Sequence, residues 1–268
     1  MSVPRLWFVV VAAALANPGA PASAQDLTDV DEIVERANLA AYYAGADGRS
    51  GVRMTVTDAQ GRSRTRQFSI LRRDVEDGGD QDYVVLFSRP ADLRGTVFLV
   101  KKHVDSDDDR WLYLPSLDLV RRIAAGDKRT SFVGSHFVYE DVSGRGLSED
   151  RHELVETTAT HYVVRNTPID LGGVEFAHWT VWIEKSTLIP TRMDYVDAEG
   201  EVYRRMEALE VEVIGGNPTV TRMKVSDLRS GGDTVSEFTD VEYDVGIPED
   251  VFTERTLRNP PRRWLSAR

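Results

Sequence analysis

A chain of 268 residues, 41% hydrophobic and without cysteine, is long enough to bury a core and must do so without disulfides. Its 33 Lys and Arg face 44 Asp and Glu, a net charge of −11. That acidity excludes a nucleic-acid binder, whose phosphate partner demands clustered bases. The lack of cysteine also argues against an acylated N-terminal Cys as an anchor.

The first element is an address. Arg5 precedes an apolar run at 6–16, and a Pro/Gly/Ala stretch then ends in Ala22-Ser23-Ala24. A positive start, an apolar centre and small residues at −3 and −1 make a secretory leader. The run is shorter than the ~20 residues a membrane crossing takes, and Pro18, Gly19 and Pro21 would break a helix there. The expectation is a leader at 1–24 and one exported domain at 25–268. Loss of Arg5 would leave 32 bases against 44 acids, or −12.

Next comes a helix at 31–43, capped by Thr28 or Asp29, with acids in its first turn and Ile33, Ala37, Ala40 and Ala41 along one face. From there the period changes to that of short strands: 52–57, 63–72, 83–88, 96–102, 110–114, 119–124, 153–157, 161–166, 176–184, 191–196, 202–213, 219–228 and 235–243. Turn residues separate them, as in Asp58-Ala59-Gln60-Gly61 and Gly215-Gly216-Asn217-Pro218. Residues 126–146 read instead as a long loop with room for a short helical turn. So many strands behind one helix imply a mainly β fold, an antiparallel sheet that curls to manage its edges and is plugged by helix.

Catalytic and metal motifs are absent or incomplete. Asp105, Asp107 and Asp109 begin a calcium-loop spacing, but Arg110 stands where Gly is needed and Ser116 where a bidentate Glu is needed. The five histidines are scattered, without an i, i+4 pair. There is no Gly-x-Ser-x-Gly elbow, and Gly126-Asp127-Lys128-Arg129-Thr130 lacks the spacing of a phosphate loop. His136 near Glu140 and Asp141 is compatible with an acid/base pair or with ordinary surface polarity. Dispersed carboxylates acting as a glycosidase-like pair stay open, because their spacing is spatial.

Several strands are apolar on both faces: Val84-Val85-Leu86-Phe87, Val97-Phe98-Leu99-Val100 and Trp111-Leu112-Tyr113-Leu114. Trp179 and Trp182 fall on opposite faces of one strand. A sheet with one wet face would alternate with polar residues. Two readings are open: a sheet packed solidly by helix and its own curvature, or an interior wide enough for an apolar ligand.

The run Pro90-Ala91-Asp92-Leu93-Arg94-Gly95-Thr96-Val97-Phe98-Leu99, the segment Asp109-Arg110-Trp111-Leu112-Tyr113-Leu114-Pro115 and Val120-Arg121-Arg122-Ile123 carry a resemblance. So do Ser131-Phe132-Val133-Gly134-Ser135-His136-Phe137 with Tyr139-Glu140-Asp141, Gly200-Glu201-Val202-Tyr203-Arg204, and Ile247-Pro248-Glu249-Asp250-Val251-Phe252-Thr253. Together they resemble the outer membrane lipoprotein-sorting protein family, relatives of the periplasmic lipoprotein carrier LolA. The resemblance implies an unclosed antiparallel β-barrel of about eleven or more strands, lidded by helices, whose hollow shelters acyl chains. It implies no cofactor and no catalysis. The expected role is a soluble periplasmic carrier of lipid or lipoprotein acyl chains, loaded by an inner-membrane transporter or exporter and unloaded on an outer-membrane acceptor. The alternative is a lipid-sensing module that regulates an envelope partner without transport.

Within that reading Phe98, Trp111, Tyr113, Phe132, Phe137, Trp179 and Met193 are candidates for the cavity lining, with plain core as the other use of each. Arg121, Arg122, Lys128 and Arg129 form the densest basic cluster, placed either to meet headgroups or a partner or simply in a solvated loop. The basic tail at 258–265 reads as a disordered end or a membrane-docking segment.

Overall fold

The computed structural model describes residues 26–265; the leader expected at 1–24 lies outside them. The first described element is α1, Val30–Tyr42. Asp29 starts it by accepting the backbone N–H of Asp31 at 3.0 Å, and Asp31 and Glu32 in the first turn suit the positive end of the helix dipole. Ile33, Val34 and Ala37 are its buried stripe. Among the described residues no helix is long and apolar enough to cross a membrane.

Thirteen strands follow: β1 Asp47–Thr57, β2 Ser63–Asp74, β3 Gln81–Arg89, β4 Val97–Lys102, β5 Asp109–Leu114, β6 Leu119–Ile123, β7 Asp150–Thr157, β8 His161–Pro168, β9 His178–Glu184, β10 Pro190–Val196, β11 Val202–Ile214, β12 Asn217–Asp227 and β13 Asp233–Tyr243. They form one antiparallel sheet in the order β6-β5-β4-β3-β2-β1-β13-β12-β11-β10-β9-β8-β7. Its two edges, β6 and β7, are consecutive in the chain, so residues 124–149 cross from one edge to the other. The sheet curls without closing: Phe98 of β4 shares one apolar cluster with Tyr195 of β10 and Met206 of β11. This is the mainly β, curled sheet that the strand pattern led us to expect and the unclosed barrel that the resemblance implied.

The crossing segment is folded into the mouth of the curl. It holds a short helix, α2 Glu140–Ser143, and an isolated bridge between Ser131 and Val138. Val133 and Gly134 take left-handed φ values of 46° and 70°. That tight turn, closed by the Phe132 N–H donating to the Phe137 carbonyl at 2.7 Å, drives Phe132 inward. Its ring meets those of Phe68, Phe87, Phe98 and Tyr139 at centroid distances of 6.4, 5.8, 5.4 and 5.5 Å.

The two-sided strands have a structural cause. Phe98 and Val100 face the concave cluster, while Val97 and Leu99 face a second cluster on the convex side. The C-terminal segment covers that second face through Ile247, through Val251 and Phe252 of a 3-10 turn, and through Leu257 and Trp264, the last two carried on α3 Glu254–Arg258 and α4 Arg262–Leu265. Asp47 steers the chain there, accepting the N–H of Val245 and of Ile247 at 2.7 Å each. The tail is therefore neither a free end nor a docking arm as far as residue 264. Each large apolar side chain it buries is worth about 1.5–3 kcal/mol, which outweighs its basic character. A third cluster packs Ile33, Val34 and Ala37 of α1 on Tyr162, Val164, Val181 and Ile183 of β8 and β9.

Candidate binding cavity

Between α1, the crossing segment and the concave face lies a cavity of ≈ 280 Å³. Val52 and Met54 of β1, Phe68 and Ile70 of β2, Val85 of β3, Val220 and Met223 of β12 and Phe238 of β13 form much of its wall. It opens where half-exposed Arg49, Ser50, Val241 and Tyr243 stand beside the end of α1. A smaller hollow of ≈ 80 Å³ lies towards β8 and β9, and the two share Ala41, Tyr42, Asp141, Pro190, Met193 and Met206. At the ~30 Å³ that a water-sized group occupies, the larger space takes roughly nine methylene-sized groups.

All four methionines among the described residues, Met54, Met193, Met206 and Met223, line this cavity. Register brings them together: Met193 is opposite Met206, and Ala208 beside it is opposite Met223. Unbranched thioethers adapt to irregular shapes at little cost, so the wall is deformable as well as apolar.

The polar groups near the cavity are mostly satisfied. Arg72 donates to the carbonyls of Tyr42, Ala44 and Gly45 and to Asp74. Tyr83 donates to Gln81 at 2.8 Å. At the closed end a buried ionic belt ties the crossing segment to the sheet. Glu140, 2% exposed, meets Lys128 at 3.2 Å, Arg129 at 2.9 Å and Arg145 at 3.2 Å. Burial pushes its carboxyl up, but Arg129, Arg145 and Lys128 outweigh that and hold it below the usual carboxylate range. Asp141 pairs with Arg204, and the guanidinium of Arg204 lies 4.9 Å from the Tyr195 ring centre.

The residues singled out from sequence separate under this geometry. Phe132, Phe137 and Met193 line the larger cavity. Trp179 lines the smaller one, with Met193, and its indole N–H donates to Asp150 at 3.0 Å. Phe98 lies behind Phe132, fully buried in the concave core rather than on the wall. Trp111 and Tyr113 are on the convex face under the C-terminal segment, because the period of β5 turns Leu112 and Leu114 inward. Tyr113 donates to Asp118 at 3.2 Å and lies beneath Arg258.

The basic cluster divides as well. Arg121 and Arg122 are exposed on edge strand β6, facing Asp127 at 3.6 Å and Asp109. Lys128 and Arg129 are buried in the ionic belt, Arg129 also reaching Glu175 at 2.8 Å. A headgroup cannot meet them without breaking those pairs. His136 faces the Thr234 hydroxyl at 2.8 Å while Glu140 and Asp141 are held by arginines, so the three do not assemble an acid/base pair. Asp109, from the calcium-like spacing, and its neighbour Asp108 serve Arg110, Arg122 and His103. Met54, Met206, Met223 and Phe68 were missed. Their signal was the inward phase of alternating strands, legible only once the concave face is known.

No curated protein matches the chain. The model of a family described as "Uncharacterized protein" matches residues 79–259. A DUF1329 family protein from Desulfovibrio piger is 30% identical, with a TM-score of 0.77 over 84% of this chain and 96% of that one. A putative outer membrane lipoprotein-sorting protein domain from Vibrio parahaemolyticus is 25% identical, also at 0.77, over 85% and 97%. A LolA superfamily protein from Nitrosomonas europaea, at 19% identity and a TM-score of 0.67 over 85% and 99%, shares the fold. The chain belongs to the DUF1329 family, and its unclosed barrel shares the fold of the Nitrosomonas LolA superfamily protein.

Proposed function

We propose that this protein is a periplasmic carrier that shelters a hydrocarbon chain of a lipid or lipoprotein and moves it between the inner and outer membranes. The observation that carries this reading is the ≈ 280 Å³ apolar cavity lined by four methionines. The name of the Vibrio relative, a putative lipoprotein-sorting domain, supports the same class of cargo. The energetics fit: at ~0.8 kcal/mol per CH₂, nine methylenes left in water cost about 7 kcal/mol. A carrier must offset most of that, yet release its load. A wall of flexible thioethers closed by one short helix end serves both needs. The volume suits one chain rather than several, so a multiply acylated cargo would require the cavity to widen. An inner-membrane transporter or exporter would load the carrier, and an outer-membrane acceptor would unload it.

The test is transfer of a fluorescent phospholipid between donor and acceptor vesicles of phosphatidylcholine, with native mass spectrometry of the protein taken from a periplasmic extract. Co-purified lipid and transfer that accelerates with protein concentration are expected. Bound lipid without accelerated transfer would replace the carrier with a sensor; no bound lipid and no transfer would overturn hydrocarbon binding altogether.

A further inference from the structure

Two hydroxyls lie on the inward face of β13, at Thr234 and Ser236, and both are buried, at 0% and 1% exposure. Thr234 is satisfied: its Oγ1 accepts the His136 N–H at 3.1 Å and faces the ring Nδ1 at 2.8 Å. Ser236 Oγ has no hydrogen-bond partner, and the residue lines the apolar cavity. Its neighbours in the ladder are Met54 on β1 and Met223 on β12, neither of which offers more than a weak thioether acceptor. A buried hydroxyl left without a partner is costly, and alanine would fit the same space.

We infer that Ser236 is a polar anchor inside the cavity, and that the preferred ligand is a long hydrocarbon carrying a neutral oxygen, such as a hydroxyl or an ester or ketone carbonyl, at its buried end. This rests on the hydrocarbon-binding reading above and narrows the cargo. The oxygen must be neutral, because a single hydroxyl flanked by two methionines cannot replace the hydration of a charged head. The geometry also sets the distance from the anchor to the opening. Ser236 is five residues from rim residue Val241 along β13, but a bulge at Asp240 takes up one of them, which leaves roughly 13 Å at ~3.3 Å per residue, with Phe238 on the wall in between. The ligand's tail therefore runs from Ser236 towards the opening.

The experiment uses the mature protein and Ser236→Ala, with displacement of the fluorescent probe N-phenyl-1-naphthylamine by hexadecan-1-ol and by hexadec-1-ene. The wild type should bind the alcohol about fivefold or more tightly than the alkene, as one buried hydrogen bond provides. Ser236→Ala should bring the two within twofold by weakening the alcohol alone, with a melting temperature equal to or above wild type. An alcohol preference that survives Ser236→Ala, or no preference in the wild type, overturns the anchor and leaves hydrocarbon binding standing. Failure of the probe and both ligands to bind the wild type instead overturns the hydrocarbon-binding reading. If Ser236→Ala does not fold, Ser236→Cys, of similar size and with a weak donor, is read by the same criterion.

Discussion

Replacing Phe132 with alanine tests whether the crossing segment is part of the core or merely lies across it. The ring is 2% exposed and touches four other aromatic rings. Losing a fully buried Phe removes up to about 3 kcal/mol of transfer free energy. A residual hole of ~60 Å³ at ~24 cal/mol per Å³ adds about 1.5 kcal/mol. The sum, about 4–5 kcal/mol, is a third or more of the stability of an ordinary domain. Urea unfolding followed by tryptophan fluorescence reads it directly, because Trp179 and Trp182 report the sheet. The midpoint should fall sharply with the slope unchanged. The enlarged closed end should also admit longer chains in the displacement assay. A loss below about 1 kcal/mol at constant slope would refute the reasoning, since it would mean that residues 124–149 do not pack as a plug.

Two further perturbations separate the faces and the charges of the molecule. Met206→Gln, which keeps side-chain length but puts an amide on the cavity wall, should weaken hydrocarbon binding on the order of tenfold, whereas Trp111→Ala on the convex face should leave binding unchanged; equal effects would show that the wall is misplaced. Glu140 and Glu175 are both held below the usual carboxylate range: burial raises each, and their cationic partners, Arg129 foremost, outweigh it. A carboxyl with a lowered folded pKa contributes stability above its unfolded value, 4.5 for Glu, and loses it as pH falls through the folded value. The melting temperature should therefore fall progressively below about pH 4.5. Glu140→Gln removes the carboxylate that Lys128, Arg129 and Arg145 share, although Glu149, Glu175 and Asp150 still pair with them; it should cost about 1–3 kcal/mol at pH 7 and flatten that acid limb. A melting temperature constant down to pH 3.5 would contradict the belt.

Much of the architecture was legible because backbone periodicity is local. Alternation placed the strands and a capping Thr28 or Asp29 placed the start of α1, since a pleat and a cap each involve neighbours a few residues apart. The local pattern also marked β4 and β5 as apolar on both sides. It could not say what covered each side. Trp111 and Phe98 look alike in the chain, yet one lies under the C-terminal segment and the other behind Phe132. The difference depends on residues more than a hundred positions away for Trp111 and 34 positions away for Phe98.

Composition and pattern alone thus determined a disulfide-free, acidic, mainly β chain with one leading helix and a sheet that must curl. Only the tertiary structure decided that residues 124–149 plug the curl, that Lys128 and Arg129 are spent inside it, and that four methionines and Ser236 share one wall. Those outcomes depend on which distant side chains meet across a curled sheet. A contact between strands far apart in sequence leaves no periodic trace in either of them.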